Sequence, residues 1–226
     1  MVITGMRGIM AKFETIYVGG FEPAIYGMRL PLKSHKNMDS SWQNDDYIIG
    51  PNDYKLMKSL WKAGSEHRKY LRQIQVWVNI SAPRYFWTEW DTYKIGTTAN
   101  SESTMHKIQD EDFQYQDFEF PWGLDEDCDD VFKNYIDALR DLVQYRLKDS
   151  AEGWYKKQYK EALKAMLPEG FIQKRTINLN YEVLANMYHQ RKNHALPQWN
   201  TDFTEWVHTL PYYEFITGEW ANERSN

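Results

Sequence analysis

Between Ala165 and Trp199 the chain reads AMLPEGFIQKRTINLNYEVLANMYHQRKNHALPQW. This run restricts the fold more than any other. The Pro168-Glu169-Gly170 turn leads into a strand-like stretch near 172–179, and a helix follows over 181–192. Asn180, Asn186 and Arg191 lie along that helix, with His194 just past its end. Asn186 and Arg191 are five residues apart, which puts them within about half a turn in azimuth. A bidentate cation and carboxamides that converge suit a flat ligand rich in carbonyl and imide groups.

Upstream, Ile74, Val76, Val78 and Ile80 alternate with Gln73, Gln75, Trp77 and Asn79, the pattern of a half-buried strand. Thr15 to Val18 is a shorter β-prone stretch ended by Gly19 and Gly20. Phe21 to Arg29 predicts a brief helix, and the polar stretch Lys33 to Asp53 predicts a long loop. Pro51-Asn52-Asp53 predicts a helix start, with Asn52 or Asp53 as the N-cap and Gly64 at the far end. Its apolar stripe is Leu56, Met57, Leu60 and Trp61. Pro83 opens a Trp-rich helix through Trp90. The acidic and aromatic residues 109–123, with Pro121 and Gly123, predict an irregular excursion. Helices are expected near 129–148, 152–166 and 200–209, the first opened by acidic residues that suit a helix N-terminus. Strands and helices interleave without the period of a doubly wound sheet, so the expected class is α+β in a single domain over 1–226.

Charge and cysteine usage exclude several classes. Lys and Arg total 27 against 32 Asp and Glu, a net charge of −5, which argues against general nucleic-acid binding. Cys128 is the only cysteine, so an internal disulfide and a Cys-rich metal site are both impossible. Its acidic neighbours Asp125, Glu126, Asp127, Asp129 and Asp130 would raise a thiol's pKa, against a reactive thiolate. His189 and His194 are spaced wrongly for two ligands on one helix face, and no metal is expected. No apolar run approaches the ~18 residues of a membrane span, and no secretory pattern opens the chain. A cytoplasmic protein with no membrane partner is expected. There is no nucleophile elbow and no Gly-rich phosphate loop. Aromatic residues make up 16%, with 10 Trp and 16 Tyr, enough for core, subunit interface and ring-stacking pockets alike. Trp87 and Trp90 are expected in the core or an interface.

The segment Thr92 to Lys107, TYKIGTTANSESTMHK, is dense in hydroxyls and small residues. It reads as a polar loop able to present donors to a phosphate or a ring edge. Position by position it resembles the signature of the flavin-dependent thymidylate synthases: Arg-His-Arg, two residues, Ser, one, Asn, two, Ser, one, Arg. Anchored on Asn100, the chain has Thr98, Asn100 and Ser103 in register, while Tyr93, Lys94 and Ile95 replace Arg-His-Arg and Met105 replaces the last Arg. Lys94, His106 and Lys107 are the cations near enough to compensate. The C-terminal run resembles the same family more closely. Lys164 falls where the family has an Arg on the substrate phosphate, and Asn180 and Asn186 fall on flavin-contacting positions. Arg191 falls on the Arg that binds and polarises the uracil ring. His194 matches a flavin-contacting His if one residue is deleted, and Glu182 replaces an Arg. The resemblance spans roughly 20–210, with weaker likeness at Gly27-Met28-Arg29 and at Leu60 to Gly64.

This resemblance implies a mixed sheet with flanking helices, a homotetramer with shared sites, and reductive methylation of dUMP to dTMP. FAD would be the cofactor, and methylenetetrahydrofolate and NADPH the co-substrates. Arg191 would be the catalytic and uracil-binding residue, Ser103 and Lys164 would hold the phosphate, and Asn100, Asn180, Asn186 and His194 would orient the flavin. Because the replaced residues are those on the flavin nucleotide, a nucleotide-binding protein that has lost flavin is an alternative on the same fold. Another pyrimidine modification with the same cofactors is a third. The segments GSEHRKYLRQ and DTYKIGTTANSESTMHK are also similar to proteins common in bacteriophages and prophages.

Overall fold

The computed structural model describes residues 11–104, 112–120, 125–148 and 153–220. Strand β1 (Lys12–Gly19) ends where Gly20 takes a φ of 91° and turns the chain into helix α1 (Phe21–Arg29). A Cβ at Gly20 would stand 2.3 Å from the Gln73 carbonyl oxygen, so both the backbone angle and the space call for glycine.

The loop expected from Lys33 to Asp53 is more structured than its composition suggests. Within it β2 (Ser41–Gln43) and β3 (Asp46–Ile48) form an antiparallel hairpin with Trp42 opposite Tyr47, turned at Asn44 with a φ of 55°. Side chains on both faces are largely exposed, so no apolar alternation marks it in the sequence.

Helix α2 (Pro51–Lys62) starts at the expected Pro, but its cap differs from the expectation. Gly50 holds the cap position, and Asp39 reaches in to accept the N–H groups of Asn52 and Asp53 at 2.8 and 2.9 Å. Asp53 is fully buried instead and pairs with Arg29, itself 6% exposed. The Asp53 carboxylate also accepts the N–H groups of Asp39 and Ser40 and the Ser40 hydroxyl. Burial works against its charge, but the Ser40 and Arg29 contacts and these N–H groups hold the carboxyl below its ordinary pKa. Gly64, at φ 110°, ends the helix in the left-handed conformation expected of it.

Strand β4 (Gln75–Pro83) buries Val76, Val78, Ile80 and Ala82 on one face, and Pro83 caps helix α3 (Arg84–Trp90). The polar loop expected after α3 contains a strand, β5 (Thr97–Ser101), most of it exposed. Helix α4 (Glu126–Asp141) is capped by Asp125, whose side chain accepts the Cys128 N–H, and continues as a π-helical stretch over Leu142–Lys148. Helix α5 (Gly153–Met166), strand β6 (Ile172–Asn180) and helix α6 (Tyr181–Arg191) follow. The last expected helix is a π-helical turn over Gln198–Phe203 joined to α7 (Thr204–His208), and a short α8 (Glu214–Thr217) was not foreseen. The main sheet has the order β1-β4-β6-β5, and the class is α+β.

By its contacts the chain divides into two compact units. Among the described residues, one comprises Ile80–Thr92 and those within Asn100–Arg175, and buries Phe113, Phe118, Ile136, Leu139, Val143, Leu147, Leu163 and Leu167 together. Trp87 and Trp90 are buried there too; Trp87 donates its N–H to the Ala82 and Gln173 carbonyls. The other comprises Phe13–Asn79, Tyr93–Ala99 and the chain from Thr176. Its core includes Ile25, Met57, Leu71, Val76, Ile177, Leu179, Leu184, Phe203 and Phe215, and α6 packs on α8.

Candidate functional site

Helix α6 begins because Asn180 caps it: its side-chain oxygen accepts the Val183 N–H at 3.0 Å. Arg191 lies in the last turn, where a cation is favoured by the carbonyl ends of the helix. Its guanidinium lies over two aromatic rings, 5.0 Å from the Trp199 centroid and 5.5 Å from that of Tyr93. Its Nε donates to the Tyr93 hydroxyl at 2.8 Å. That hydroxyl donates to Gln190 Oε1 at 3.0 Å, and the Gln190 amide donates to Asn186 Oδ1 at 2.9 Å. Arg191 and Asn186, read from the sequence as convergent, are thus joined through two intermediates rather than directly. His194 stands edge-on to Trp199, and its Nδ1 accepts the Leu196 N–H at 3.2 Å.

The result is a planar cation held in one orientation by ring faces and a phenol. Such a group suits carbonyl recognition, because little side-chain freedom remains to be lost on binding. Tyr93, Gln190 and Trp199 are functional candidates that sequence reasoning missed. Tyr93 drew notice only as a departure from a motif, and nothing in the spacing links it to a helix about a hundred residues later.

Nearby on α6, Glu182 pairs with Arg68 at 3.1 Å, and Arg68 lies over the Trp61 ring. The Glu that stands where the resemblance implies an arginine therefore has its own cation. Burial lowers the pKa of His189, and the charges of Lys192 and Arg68 lower it further, favouring the neutral imidazole.

The remaining sequence candidates belong to the other unit. Asn100 lies on β5 and Ser103 just after it, both exposed. The backbone between them is anchored by Glu102, whose N–H donates to the Lys174 carbonyl at 3.0 Å and whose carbonyl accepts from the Gln173 amide at 2.8 Å. Lys164 is exposed in the last turn of α5. The seven site residues thus divide: Asn100, Ser103 and Lys164 in one unit; Asn180, Asn186, Arg191 and His194 in the other. Met105, His106 and Lys107 lie outside the described residues, as do Pro121 and Gly123. Of the residues replacing the Arg-His-Arg triplet, Tyr93 serves Arg191, Lys94 is exposed and Ile95 is 92% exposed. Among the described residues no group of three or more His, Cys, Asp or Glu could hold a metal ion.

Comparison with known proteins points in one direction. The model of a family described as thymidylate synthase complementing protein matches residues 22–204. Two solved structures of a flavin-dependent thymidylate synthase from Helicobacter pylori, each with FAD and dUMP, share the fold. One superposes with a TM-score of 0.69 at 14% identity, over 90% of this chain and 96% of that one. The second gives 0.68, again at 14%, over 91% and 95%. No match is found among curated protein sequences.

Proposed function

Because the chain belongs to the thymidylate synthase complementing protein family, we propose that this thymidylate synthase-like protein binds a pyrimidine deoxynucleotide of the dUMP type and serves its reductive methylation to dTMP. The observation that carries this reading is Arg191, held between Tyr93 and Trp199 at the end of α6. A guanidinium fixed in one orientation can donate along the directed lone pairs of a base carbonyl. Its forked N–H groups match a uracil carbonyl and would stabilise the negative charge that develops there, an effect worth about 3 kcal/mol in a dry site. Ser103 and Lys164 are proposed as the phosphate holders. They belong to the other unit, and in a homotetramer with shared sites the residues around one ligand need not come from one chain.

The residues fit one part of FAD and not another. Carboxamides and an imidazole suited to a flavin ring are present in Asn180, Asn186 and His194. The grip on the diphosphate does not fit: Tyr93 is engaged with Arg191, Ile95 is exposed and apolar, and Glu182 brings a negative charge. When bound, a reduced flavin would supply the hydride, with methylenetetrahydrofolate as carbon donor and NADPH as reductant. No step of binding or polarisation by Arg191 depends on it.

The same three positions favour a second reading, a nucleotide-binding protein without flavin. The two separate on the visible absorption of the purified protein after incubation with FAD and desalting. Retained flavin bands, with dUMP turnover lost in Arg191→Ala, support the synthase. A colourless protein whose thermal shift with dUMP vanishes in Arg191→Ala supports binding alone. A colourless protein with no response to dUMP would overturn both.

A further inference from the structure

A cavity of about 540 Å³ opens where β1 turns into α1, and it takes no part in the proposed function. Its residues all belong to the unit that contains α6. Its walls are aromatic. From the hairpin, Trp42 and Tyr47 pack edge to face at an interplanar angle of 67°, with centroids 5.2 Å apart. Tyr17, at the end of β1, is 56% exposed and Trp42 is 57% exposed, so broad ring faces remain open to solvent. Tyr212 completes the wall and packs edge-on to Phe21. It holds a φ of 53°, a conformation costly for a bulky side chain, and its hydroxyl accepts the Ile49 N–H at 2.9 Å.

The charge on this cavity has one sign. Glu22, Asp45 and Asp46 line it, and none of the described residues lining it is Lys, Arg or His. Glu22 is fixed by the Trp42 indole N–H, which donates to Oε2 at 3.0 Å. The Tyr47 phenol on the wall is pushed above its ordinary pKa, first by burial and then by the charges of Glu22 and of Asp53, which lies outside the cavity lining. A metal ion is the wrong occupant, since no such carboxylate group converges closely enough to hold one among the described residues.

Ring faces with their negative quadrupoles, three carboxylates that form no metal-holding group, and a volume within the ~300–1,000 Å³ of ligand pockets suit an extended organic cation. We infer that this cavity binds a linear polyamine, with its methylene stems against Tyr17, Trp42 and Tyr212 and its ammonium groups against Glu22, Asp45 and Asp46. Each ammonium would find a carboxylate, and the stems would cover the ring faces now open to water.

Calorimetric titration of the full chain with spermidine tests this, with Mg²⁺ added in parallel at matched ionic strength. Trp42→Ala and Glu22→Gln are the diagnostic variants; both residues are exposed, and circular dichroism checks that each variant is folded. Saturable spermidine binding is expected, weakened about tenfold by either substitution and not displaced by Mg²⁺. Absence of saturable binding, binding untouched by both substitutions, or displacement by an equal concentration of Mg²⁺ would each overturn the inference.

Discussion

The cations of the unit with α6 and the proposed phosphate holders of the other unit are held differently. In the unit with α6, Arg29 is buried against Asp53, Arg68 is paired with Glu182 over Trp61, and Arg191 is held by Tyr93 and Trp199. In the unit with α4 and α5, Lys164 and Ser103 stand on the exposed surface. The first arrangement ties charge to the fold, so that orientation is fixed before any ligand arrives. The second leaves the side chains exposed, where a ligand can reach them. Base recognition needs a fixed direction, whereas a phosphate accepts a point charge from many directions.

The largest test of this contrast is Asp53→Ala. It would leave the Arg29 guanidinium buried without its carboxylate and release the Asp39–Ser40 segment that Asp53 holds. A loss of about 3–5 kcal/mol is expected, read as a large fall in the denaturation midpoint. A variant as stable as the parent would mean that this pair is not tied to the fold, and the contrast would fail.

Tyr93→Phe is a narrower test. The ring stays under Arg191, and only the hydroxyl that accepts from Nε and donates to Gln190 is removed. Stability should fall by about 1 kcal/mol. If Arg191 recognises the base, affinity for dUMP should fall about tenfold, because the guanidinium loses its fixed direction. Equal dUMP affinity in Tyr93→Phe and the parent would assign the hydroxyl to structure alone.

These residues also mark how far the sequence could be read. The alternation around Val76 and Val78 and the stripe containing Met57 announce β4 and α2, because one face of each is buried. The hairpin at 41–48 and strand β5 gave no such sign. Their side chains are mostly exposed on both faces, and pairing rather than side-chain burial makes them strands. The N-cap of α2 was misplaced for a related reason. Asn52 and Asp53 have the right chemistry, but Asp39 supplies the capping carboxylate from outside the helix. At the candidate site, the placement of Arg191 and Asn186 on one helix was legible, but not the link between them, which runs through Gln190 and Tyr93; Tyr93 and Trp199 depend on tertiary contacts that no local pattern encodes.

A smaller effect should appear in acid. Glu219 accepts from the Tyr188 hydroxyl at 2.8 Å and lies 3.1 Å from His208 Nε2. Burial acts against its charge, yet the Tyr188 and His208 contacts, with the charges of His208 and Lys192, carry its pKa below the ordinary value of 4.5. A carboxylate depressed in the folded state adds stability that is fully present above its unfolded pKa. That part is lost as pH falls through the lower folded value. Glu219→Gln should therefore show a shallower loss of stability below about pH 4.5 than the parent. Parallel acid profiles would show that this cluster does not contribute.

Lys164→Ala should have the smallest effect on the fold and is the sharpest check on the other half of the contrast. The side chain is exposed in the last turn of α5, where the core is made by Leu163 and Leu167. Removing a charge from such a position changes stability by no more than about 0.5 kcal/mol. If Lys164 holds a nucleotide phosphate, dUMP affinity should fall while uridine, which lacks the phosphate, binds as before. A variant that weakens dUMP and uridine alike would place Lys164 outside phosphate recognition. A marked fall in the melting temperature would instead show that its charge is built into the fold like those of the other unit.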